Sequence, residues 1–247
     1  MLIKQGQVDA LPWRVYDTRD AMGAAAAAYT EGLLLAMQEV QAEIRMIFAA
    51  APSQNEMLAH LAASREIDWG RITAFHMDEY VGLAPDAPQG FGNFLRDRLF
   101  SKVPFRQVHY LKDPVAYAKL LQEAPVDICC LGIGENGHIA FNDPGVADFH
   151  DPETVKVVAL DDVCRQQQVN DGCFATLSDV PTHAMTLTIP TLRACHFLVC
   201  TVPSATKRDA VRRLLYEAEI SEKLPASTLR RHANAILFLE KNSYPEG

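Results

Sequence analysis

The feature that most constrains this chain is a regular alternation of short apolar runs with longer segments of helical composition. The run Val126–Leu131 (VDICCL) is apolar at five of its six positions, which is typical of a strand that a parallel sheet buries on both faces. Similar runs at Ile44–Ala51 and His196–Val202 predict further buried strands. The alternation predicts an α/β fold with a doubly wound, mainly parallel sheet and helices on both faces.

Further strands and helices complete the pattern. The predicted strands are Arg71–Tyr80, Val108–Leu111, Val155–Leu160 and Ala235–Leu239, and the predicted helices are Thr18–Glu43, Gln54–Ala63, Phe91–Phe100 and Ala205–Glu219. Thr18 is the expected N-cap of the first helix. No internal repeat or obvious linker divides the chain, so we expect residues 1–247 to form one Rossmann-like domain.

Charge and composition argue against several classes of partner. The chain carries 23 basic and 31 acidic side chains, a formal net charge of −8, so its mean field repels phosphate backbones and anionic membranes. Nucleic acid and membranes are therefore not expected partners. The first residues resemble no signal peptide, the six cysteines form no CxxC pattern and the eight histidines form no HExxH motif. We expect a reduced, cytoplasmic protein, and no metal site follows from the spacing.

Ligands of doubly wound folds bind at the carboxyl ends of the strands, so we expect chemistry in the loops after residues 51, 80, 131 and 202. The loop Gly132–His138 (GIGENGH) matches the G-x-G-x-x-G pattern of dinucleotide binding. Dinucleotide binding is disfavoured, because Asn142–Gly145 (NDPG) breaks the chain where the pattern requires a helix.

The same loop carries side chains suited to proton transfer. His138 can carry a proton near neutral pH, and Asp143 can orient it if the loop folds back. Asn136 and Asn142 are polar neighbours on the same segment. The alternative interpretation is a solvated turn with a capping histidine.

Asp78 and Glu79 stand at the end of an apolar strand, in the segment FHMDEYVGL. Adjacent strand residues point to opposite faces, so only one of the two can readily face a common site. A carboxylate held there beside apolar neighbours would have a raised pKa and could serve as a general base. The alternative is that the pair caps a helix or lies in a surface turn.

Two strand-to-helix turns could hold an anion. In Ala51–Glu56 (APSQNE), Ser53, Gln54 and free backbone amides could bind a phosphate, although Ser53 and Glu56 could equally form a capping box. In the turn that follows Val202, Lys207 faces either an anion or solvent.

Taken together, these segments resemble the glucosamine-6-phosphate deaminase (isomerase) family, within the wider group that contains 6-phosphogluconolactonases. The resemblance is carried by FHMDEYVGL (75–83), GFGNFLRDRLF (90–100), LGIGENGHIAFNDPG (131–145) and SATKRDAV (204–211). It implies an enzyme, a hydrolase or isomerase, that converts a hexosamine 6-phosphate to a ketose 6-phosphate and ammonia. The implied partner is this small sugar phosphate, and no metal or organic cofactor is implied.

The resemblance also implies roles for individual residues. Asp78 matches the base that moves a proton from C2 to C1, His138 matches the histidine that assists ring opening, and Lys207 matches the lysine that pairs with the substrate phosphate. We expect a donor for the developing oxyanion from His138 and from the loop amides of residues Gly134 to Gly137.

The sequence departs from the family pattern at four places. Asn136 replaces the aspartate of the usual D-G-H, Asp143 replaces a glutamate, and Pro52–Asn55 replaces a T-G-G-T turn. The usual phosphate-binding arginine is absent near Cys164–Phe174, where Arg165 and a run of glutamines stand. We therefore expect the substrate or one step to differ. Glu135, or a water held by Asp143, could replace the missing carboxylate, or the enzyme could take a sugar phosphate that is already open. No gain of turnover in Asn136→Asp would count against this hypothesis.

Several alternatives stay open at this stage. A 6-phosphogluconolactonase-like hydrolase or a non-deaminating sugar-phosphate isomerase would use His138 differently and would release no ammonia. A non-catalytic sugar-phosphate binding protein is a further alternative, supported by Asn136. Relatives are often oligomeric, so a homo-oligomer is also considered, and the sequence does not distinguish gluco- from galacto-configured substrates.

Overall fold

The computed structural model describes residues 1–246 and contains a large and a small β-sheet. The strands, in chain order, are β1 (Leu2–Val8), β2 (Leu11–Tyr16), β3 (Ile44–Phe48), β4 (Ile72–His76), β5 (Asp78–Tyr80), β6 (Gln107–Val108), β7 (Ile128–Leu131), β8 (Val155–Ala159), β9 (His183–Leu187), β10 (Phe197–Val202) and β11 (Ala235–Glu240). The large sheet has the order β1-β2-β11-β10-β7-β3-β4-β6, and the small sheet has the order β5-β9-β8.

The large sheet confirms the predicted fold class. All its strand pairs are parallel except β1 with β2. The strand order runs outward from β7 in both directions, with β3 and β4 on one side and β10 and β11 on the other. The chain therefore winds in two directions and leaves a crevice at the carboxyl ends of the central strands.

Helices cover both faces of the large sheet. They are α1 (Arg19–Gln38), α2 (Asn55–Ala63), α3 (Phe91–Leu95, continued by a π-helical turn to Phe100), α4 (Pro114–Gln122), α5 (Asp162–Asn170), α6 (Ile189–Arg193) and α7 (Arg208–Tyr216). Successive strand residues alternate between two hydrophobic cores, since Ile47 and Cys129 pack with α4 and α7, whereas Met46 and Ile128 pack with α1 and α2. Buried strands with both faces covered explain the continuous apolar runs in the sequence.

The sequence prediction was wrong about the segment Arg71–Tyr80, which is two strands rather than one. The break falls at Met77, whose N–H donates to the Phe48 carbonyl of the large sheet at 3.3 Å. The Met77 carbonyl accepts from the N–H of Leu187, in the small sheet, at 2.8 Å. The chain thus passes from one sheet to the other within a single residue, a change that no apolar pattern reveals.

The sequence analysis also missed three strands, β1, β2 and β9. The residues of β1 are largely exposed, and its central residues, Lys4–Gln7, interrupt the apolar run, so the strand lacks the continuous apolar signal of a buried strand. The first helix was predicted to extend to Glu43 but ends at Gln38, although Thr18 caps it as expected by accepting from the N–H of Ala21. Among residues 1–246, no helix combines the length and apolarity needed to cross a bilayer.

Candidate active site

A cleft of about 130 Å³ lies at the carboxyl edge of the large sheet. Asp78, His138 and Lys207 all line it, together with Ser53 and Gly134. Three of the four loops expected to carry chemistry contribute to its walls, those after residues 51, 131 and 202. The loop after residue 80 contributes only its distal end, through Phe91, because Asp78 itself comes from β5.

Asp78 presents a free carboxylate to the cleft. The residue is 7% exposed, and its side-chain oxygens accept no hydrogen bond from the rest of the described chain. Burial, with a smaller contribution from the charge of Glu79, raises the pKa of Asp78 well above its ordinary value. A desolvated carboxylate without a fixed donor is a stronger base than one in water, and it can accept a proton from a bound ligand.

Glu79 points away from the cleft and caps α3. Its two carboxylate oxygens accept from the backbone N–H groups of Tyr80, Phe91 and Gly92, each at 2.9 Å. The alternation of strand side chains therefore separates the two acids as the sequence suggested, with one acid in the cleft and one at a helix N-terminus. Burial raises the pKa of Glu79, and these hydrogen bonds partly offset the rise.

His76 fixes the backbone of Asp78 from below. Its Nδ1 lies 2.8 Å from the Asp78 carbonyl oxygen, and its Nε2 lies 2.9 Å from the N–H of Leu111. Burial lowers the pKa of His76 to about 4, so the ring is neutral, with Nδ1 donating and Nε2 accepting. The sequence analysis missed this positioning residue, although it stands in the same FHMDEY segment.

His138, Asn136 and Asp143 form a hydrogen-bonded triangle at the opposite wall. His138 Nδ1 lies 2.8 Å from Asn136 Oδ1 and 2.9 Å from Asp143 Oδ1, and the Asn136 amide donates to Asp143 at 2.7 Å. Burial alone would raise the pKa of Asp143, but hydrogen bonds and charge from His138, with further bonds from Asn136 and Cys164, lower it overall. Asp143 is therefore an anion that orients the imidazole, while Nε2 of His138 has no partner within residues 1–246.

Asn136 itself does not line the cleft. Its Oδ1 also accepts from the backbone N–H of His138 at 3.0 Å, so both ends of the amide are engaged. Glu135, considered above as a substitute base, does not line the cleft either: Asn170 donates to its Oε2 at 3.5 Å, and its Oε1 is buried without a hydrogen-bond partner among residues 1–246.

Gly134 and Gly137 form the turn, and their backbone N–H groups are not free to bind a ligand. The N–H of Gly134 donates to the His138 carbonyl and the N–H of Gly137 donates to the Gly134 carbonyl, both at 3.0 Å. The expectation that these two amides face an oxyanion is therefore wrong. A Cβ at Gly134 would lie 2.1 Å from the His138 ring, so only glycine lets the imidazole pack there. Gly137 has φ +89° and lies against Leu224 rather than in the cleft.

Ligand atoms of His138, Asp143 and Cys164 lie within 4.8 Å of one another, which is close enough for a metal ion. Burial and the neighbouring Asp143 charge raise the pKa of the Cys164 thiol, which keeps its proton and donates to Asp143. In this structure His138 and Cys164 form a hydrogen-bonded network around the Asp143 carboxylate.

Lys207 is an unpaired cation at the far end of the cleft. It is 5% exposed, its Nζ has no hydrogen-bond partner among residues 1–246, and the nearest carboxylate oxygen, of Asp171, is 4.0 Å away. Burial lowers the pKa of Lys207, and the charges of Asp171 and Glu135 partly counter this. A buried ammonium without a partner is costly, so this position favours an anionic ligand.

Ser53 and Gln54 occupy different places although they are neighbours. Ser53 lines the cleft, and its Oγ accepts from the Gln54 amide at 3.2 Å, which leaves its O–H free to donate. Gln54 is 1% exposed and lies below the cleft, where Thr201 donates to its Oε1 at 3.1 Å. The structure thus places Gln54 as a brace between β10 and the loop, not as a ligand-contacting residue.

The sequence analysis missed several cleft residues. They are Arg19, Gln167, Gln168, Asp171, Cys173 and Ser204. The alternative capping box of Ser53 and Glu56 is also wrong, because the Glu56 carboxylate accepts from Arg19 instead. Arg19 starts α1, far from every recognised segment, so no local pattern could have placed it here.

The fold and the cleft define an α/β protein with a carboxylate, a histidine and a lysine gathered at the switch point of a parallel sheet. Residues 17–238 match the family described as glucosamine-6-phosphate isomerases/6-phosphogluconolactonase, and the chain belongs to that family.

Individual relatives agree with this assignment. Glucosamine-6-phosphate deaminase of Exiguobacterium sp. is 37% identical over 182 residues, which cover 70% of this chain and 69% of that protein. The solved structure of a monomeric glucosamine-6-phosphate deaminase superposes with a TM-score of 0.83 at 26% identity, covering 94% of this chain and 98% of the other. The 6-phosphogluconolactonase of Thermotoga maritima shares the fold, with a TM-score of 0.74 at 20% identity, covering 93% of this chain and 100% of the other.

Proposed function

We propose that this chain is an aminosugar-phosphate isomerase and deaminase, which converts a hexosamine 6-phosphate and water to a ketose 6-phosphate and ammonia. The observation that carries the proposal is the single cleft shared by the unpaired Asp78 carboxylate, the oriented His138 ring and the unpaired Lys207 ammonium. The names of the relatives at 37% and 26% identity support the substrate class. We further propose that the whole chain acts as one catalytic domain.

Binding and ring opening come first in the proposed mechanism. The substrate phosphate pairs with Lys207 and accepts from the Ser53 hydroxyl, which places the sugar carbons towards Asp78 and His138. His138, held by Asp143, takes the proton of the C1 hydroxyl and returns a proton to the ring oxygen as the C1–O bond breaks. The product of this step is the open-chain aldehyde.

Proton transfer between carbons follows. Asp78 removes the proton from C2, which is acidified by the C1 carbonyl and by the adjacent ammonium, and the electron pair forms the C1–C2 double bond of an enolamine while the ammonium gives up one proton and the C1 oxygen gains one. The protonated Asp78 then returns its proton to C1, and the nitrogen lone pair forms the C=N bond of an iminium at C2. The raised pKa of Asp78 suits this shuttle, because the carboxylate must first accept the proton and then give it back.

Loss of ammonia completes the reaction. Water adds to the C2 iminium to give a carbinolamine, and the C–N bond then breaks with proton transfer to nitrogen, leaving a ketone at C2. One water is consumed and one ammonia is released for each sugar. No step in this sequence changes the oxidation state of the sugar as a whole.

The proposal is tested by measuring ammonia and ketose 6-phosphate together across a panel of hexosamine 6-phosphates of gluco and galacto configuration. Equal amounts of both products from one epimer would support it and would also identify the substrate. Absence of ammonia from every member of the panel would contradict it.

The lactonase alternative predicts a different effect of substituting Asp78. A lactonase needs His138 to activate water but has no use for Asp78 as a carbon base. Asp78→Asn should therefore abolish ammonia release in a deaminase while leaving any hydrolysis of 6-phosphogluconolactone largely intact. An Asp209→Asn variant, which changes an exposed acid of α7, controls for the loss of one negative charge.

A further inference from the structure

The cleft contains a second cation that the proposed mechanism leaves without a role. Arg19 lines the cleft with Pro52, Ser53 and Lys207, and its side chain is 41% exposed. The phosphate-binding arginine expected from the family pattern near Cys164 is not in the cleft. Arg165 instead donates to the Leu177 carbonyl at 2.7 Å and ties down the loop that follows α5.

The guanidinium of Arg19 is held in one orientation. Nε and Nη2 donate to the two carboxylate oxygens of Glu56 at 2.9 and 3.2 Å, and Nη2 also donates to the Pro52 carbonyl at 2.9 Å. A two-point pair of this kind fixes the plane of the guanidinium. Close packing of α1 on α2 supports it, because a Cβ added at Gly23 would lie 2.4 Å from the Cβ of Glu56.

The remaining donors of Arg19 are unused. An arginine has five N–H groups, and here those on Nε and Nη2 are engaged, while Nη1 has no acceptor within residues 1–246. Nη1 therefore adds to the free donors at this end of the cleft, which already include the Lys207 ammonium and the Ser53 hydroxyl. Free donors on three residues that line one cleft suit a tetrahedral phosphate.

We propose that Arg19 is a second phosphate-binding cation, which acts opposite Lys207 and takes the place of the arginine absent from the segment after residue 164. Glu56 is its positioning residue. This inference rests on the proposed function for its substrate, a sugar phosphate, but the ligand group that it concerns is the phosphate alone.

The experiment compares Arg19→Met and Arg19→Lys with Arg212→Met, a matched control that removes an exposed arginine of α7 paired with Asp209. The dissociation constant of inorganic phosphate is measured by titration calorimetry for each folded variant. Arg19→Met should weaken phosphate binding roughly 10-fold to 100-fold, since a charge-assisted hydrogen bond is lost. Arg19→Lys should fall between, because lysine cannot reproduce the planar fork, and Arg212→Met should match the wild type.

Kinetics and a second variant complete the test. Arg19→Met should raise KM for the hexosamine 6-phosphate with little change in kcat, since Arg19 touches no reacting carbon. Glu56→Gln keeps the Arg19 cation but weakens the two-point pair that orients it, so this variant should lose less phosphate affinity than Arg19→Met. It also tests the role of Arg19 if Arg19→Met does not fold.

Two outcomes separate the two proposals. The role of Arg19 would be overturned if Arg19→Met bound inorganic phosphate within twofold of the wild type, or if Arg19→Gln did so should Arg19→Met fail to fold. The deaminase proposal would still stand. Loss of phosphate affinity in the Arg19 variants of a protein that releases no ammonia would support Arg19 while the deaminase proposal fails.

Discussion

The two ends of the cleft are built in different ways. At the reacting end, each group is held by near neighbours in the sequence: His76 fixes Asp78, and Asn136 and Asp143 fix His138. At the phosphate end, the groups come from distant segments, with Arg19 on α1, Ser53 after β3, and Lys207 after β10. The reacting end is thus a pair of local motifs, whereas the phosphate end exists only in the folded chain.

The largest effect is expected from Asp78→Asn, which removes the proposed base without changing its size. Turnover should fall roughly 10³-fold, within the range for loss of a general base. Phosphate affinity should be unchanged, because the two ends of the cleft hold different parts of the substrate. Measuring kcat beside the phosphate dissociation constant checks both, and a parallel loss of phosphate binding would contradict the division between the ends.

Asp78→Asn should raise the stability of the folded protein near neutral pH, although it lowers turnover. Burial raises the pKa of Asp78 above its ordinary value of 3.8 in the folded protein, so the unfolded chain releases this proton at lower pH than the folded one. The contribution of Asp78 to the free energy of unfolding of the wild type therefore falls as the pH rises from the pKa of Asp78 in the unfolded chain to its pKa in the folded protein. Asp78→Asn should have the higher free energy of unfolding at pH about 7 and lose that advantage below about pH 4, as measured by urea denaturation.

The next largest effect is expected at the phosphate end, from Lys207→Met. KM for the sugar phosphate should rise roughly 100-fold, since a charge-assisted contact is lost, with a smaller change in kcat. The free energy of unfolding should not fall, because the lost ammonium is buried without a partner. Lys156→Met is the control, since Lys156 is paired with Asp151 at 2.8 Å and its removal should not affect KM. A fall in stability with unchanged KM would show a purely structural lysine.

A smaller effect, of opposite sign, is expected from Asp171→Asn. Its carboxylate lies 4.0 Å from Lys207 Nζ and opposes an incoming phosphate. Removing that charge should tighten inorganic phosphate binding by roughly threefold to tenfold, with the gain shrinking at high salt. Asp162→Asn serves as the comparison, since Asp162 is an exposed acid at the start of α5, the helix that Asp171 directly follows. Weaker phosphate binding in Asp171→Asn would mean that Asp171 positions Lys207 rather than competing for it.

The smallest effect is expected from Asn136→Asp at the reacting end. The Asn136 amide donates to Asp143 at 2.7 Å, so a carboxylate at position 136 could remain there only by sharing a proton with Asp143. The shared proton should assist ring opening and raise turnover a few-fold at low pH, and this gain should disappear as the pH rises and the pair loses the proton. A pH profile of kcat for both proteins tests this, and a profile identical to that of the wild type would mean that position 136 only orients His138.

The difference between the two ends also explains what could be predicted from the sequence. Strands such as Ile128–Leu131 and helices such as Arg19–Gln38 follow from apolar periodicity and capping, and the loops after strands locate the cleft. Asp78 and His138 lie in local segments whose residue types indicate proton-transfer chemistry. The cleft positions of Arg19 and Asp171 depend instead on tertiary packing, which leaves no local pattern.

Some local features were also beyond sequence reasoning. The sequence could not predict that the N–H of Gly134 donates to the His138 carbonyl instead of facing a ligand. The direction of an amide in a glycine turn depends on φ and ψ angles, which a glycine does not restrict. The burial of Gln54 beneath Ser53 depends on the short helical turn Pro52–Gln54, which rotates neighbouring side chains to different sides. Both errors concern orientation, while the segments themselves were correctly located.

The position of Met77 between the two sheets has a consequence for redesign. Since its N–H is tied to one sheet and its carbonyl to the other, a tilt of the small sheet would turn the main chain directly ahead of Asp78. The outer surface of that sheet, where Val157 is 55% exposed, therefore offers mutable positions remote from the reaction centre. Variant libraries at these positions could change the orientation of the Asp78 carboxylate without replacing any residue that contacts the sugar.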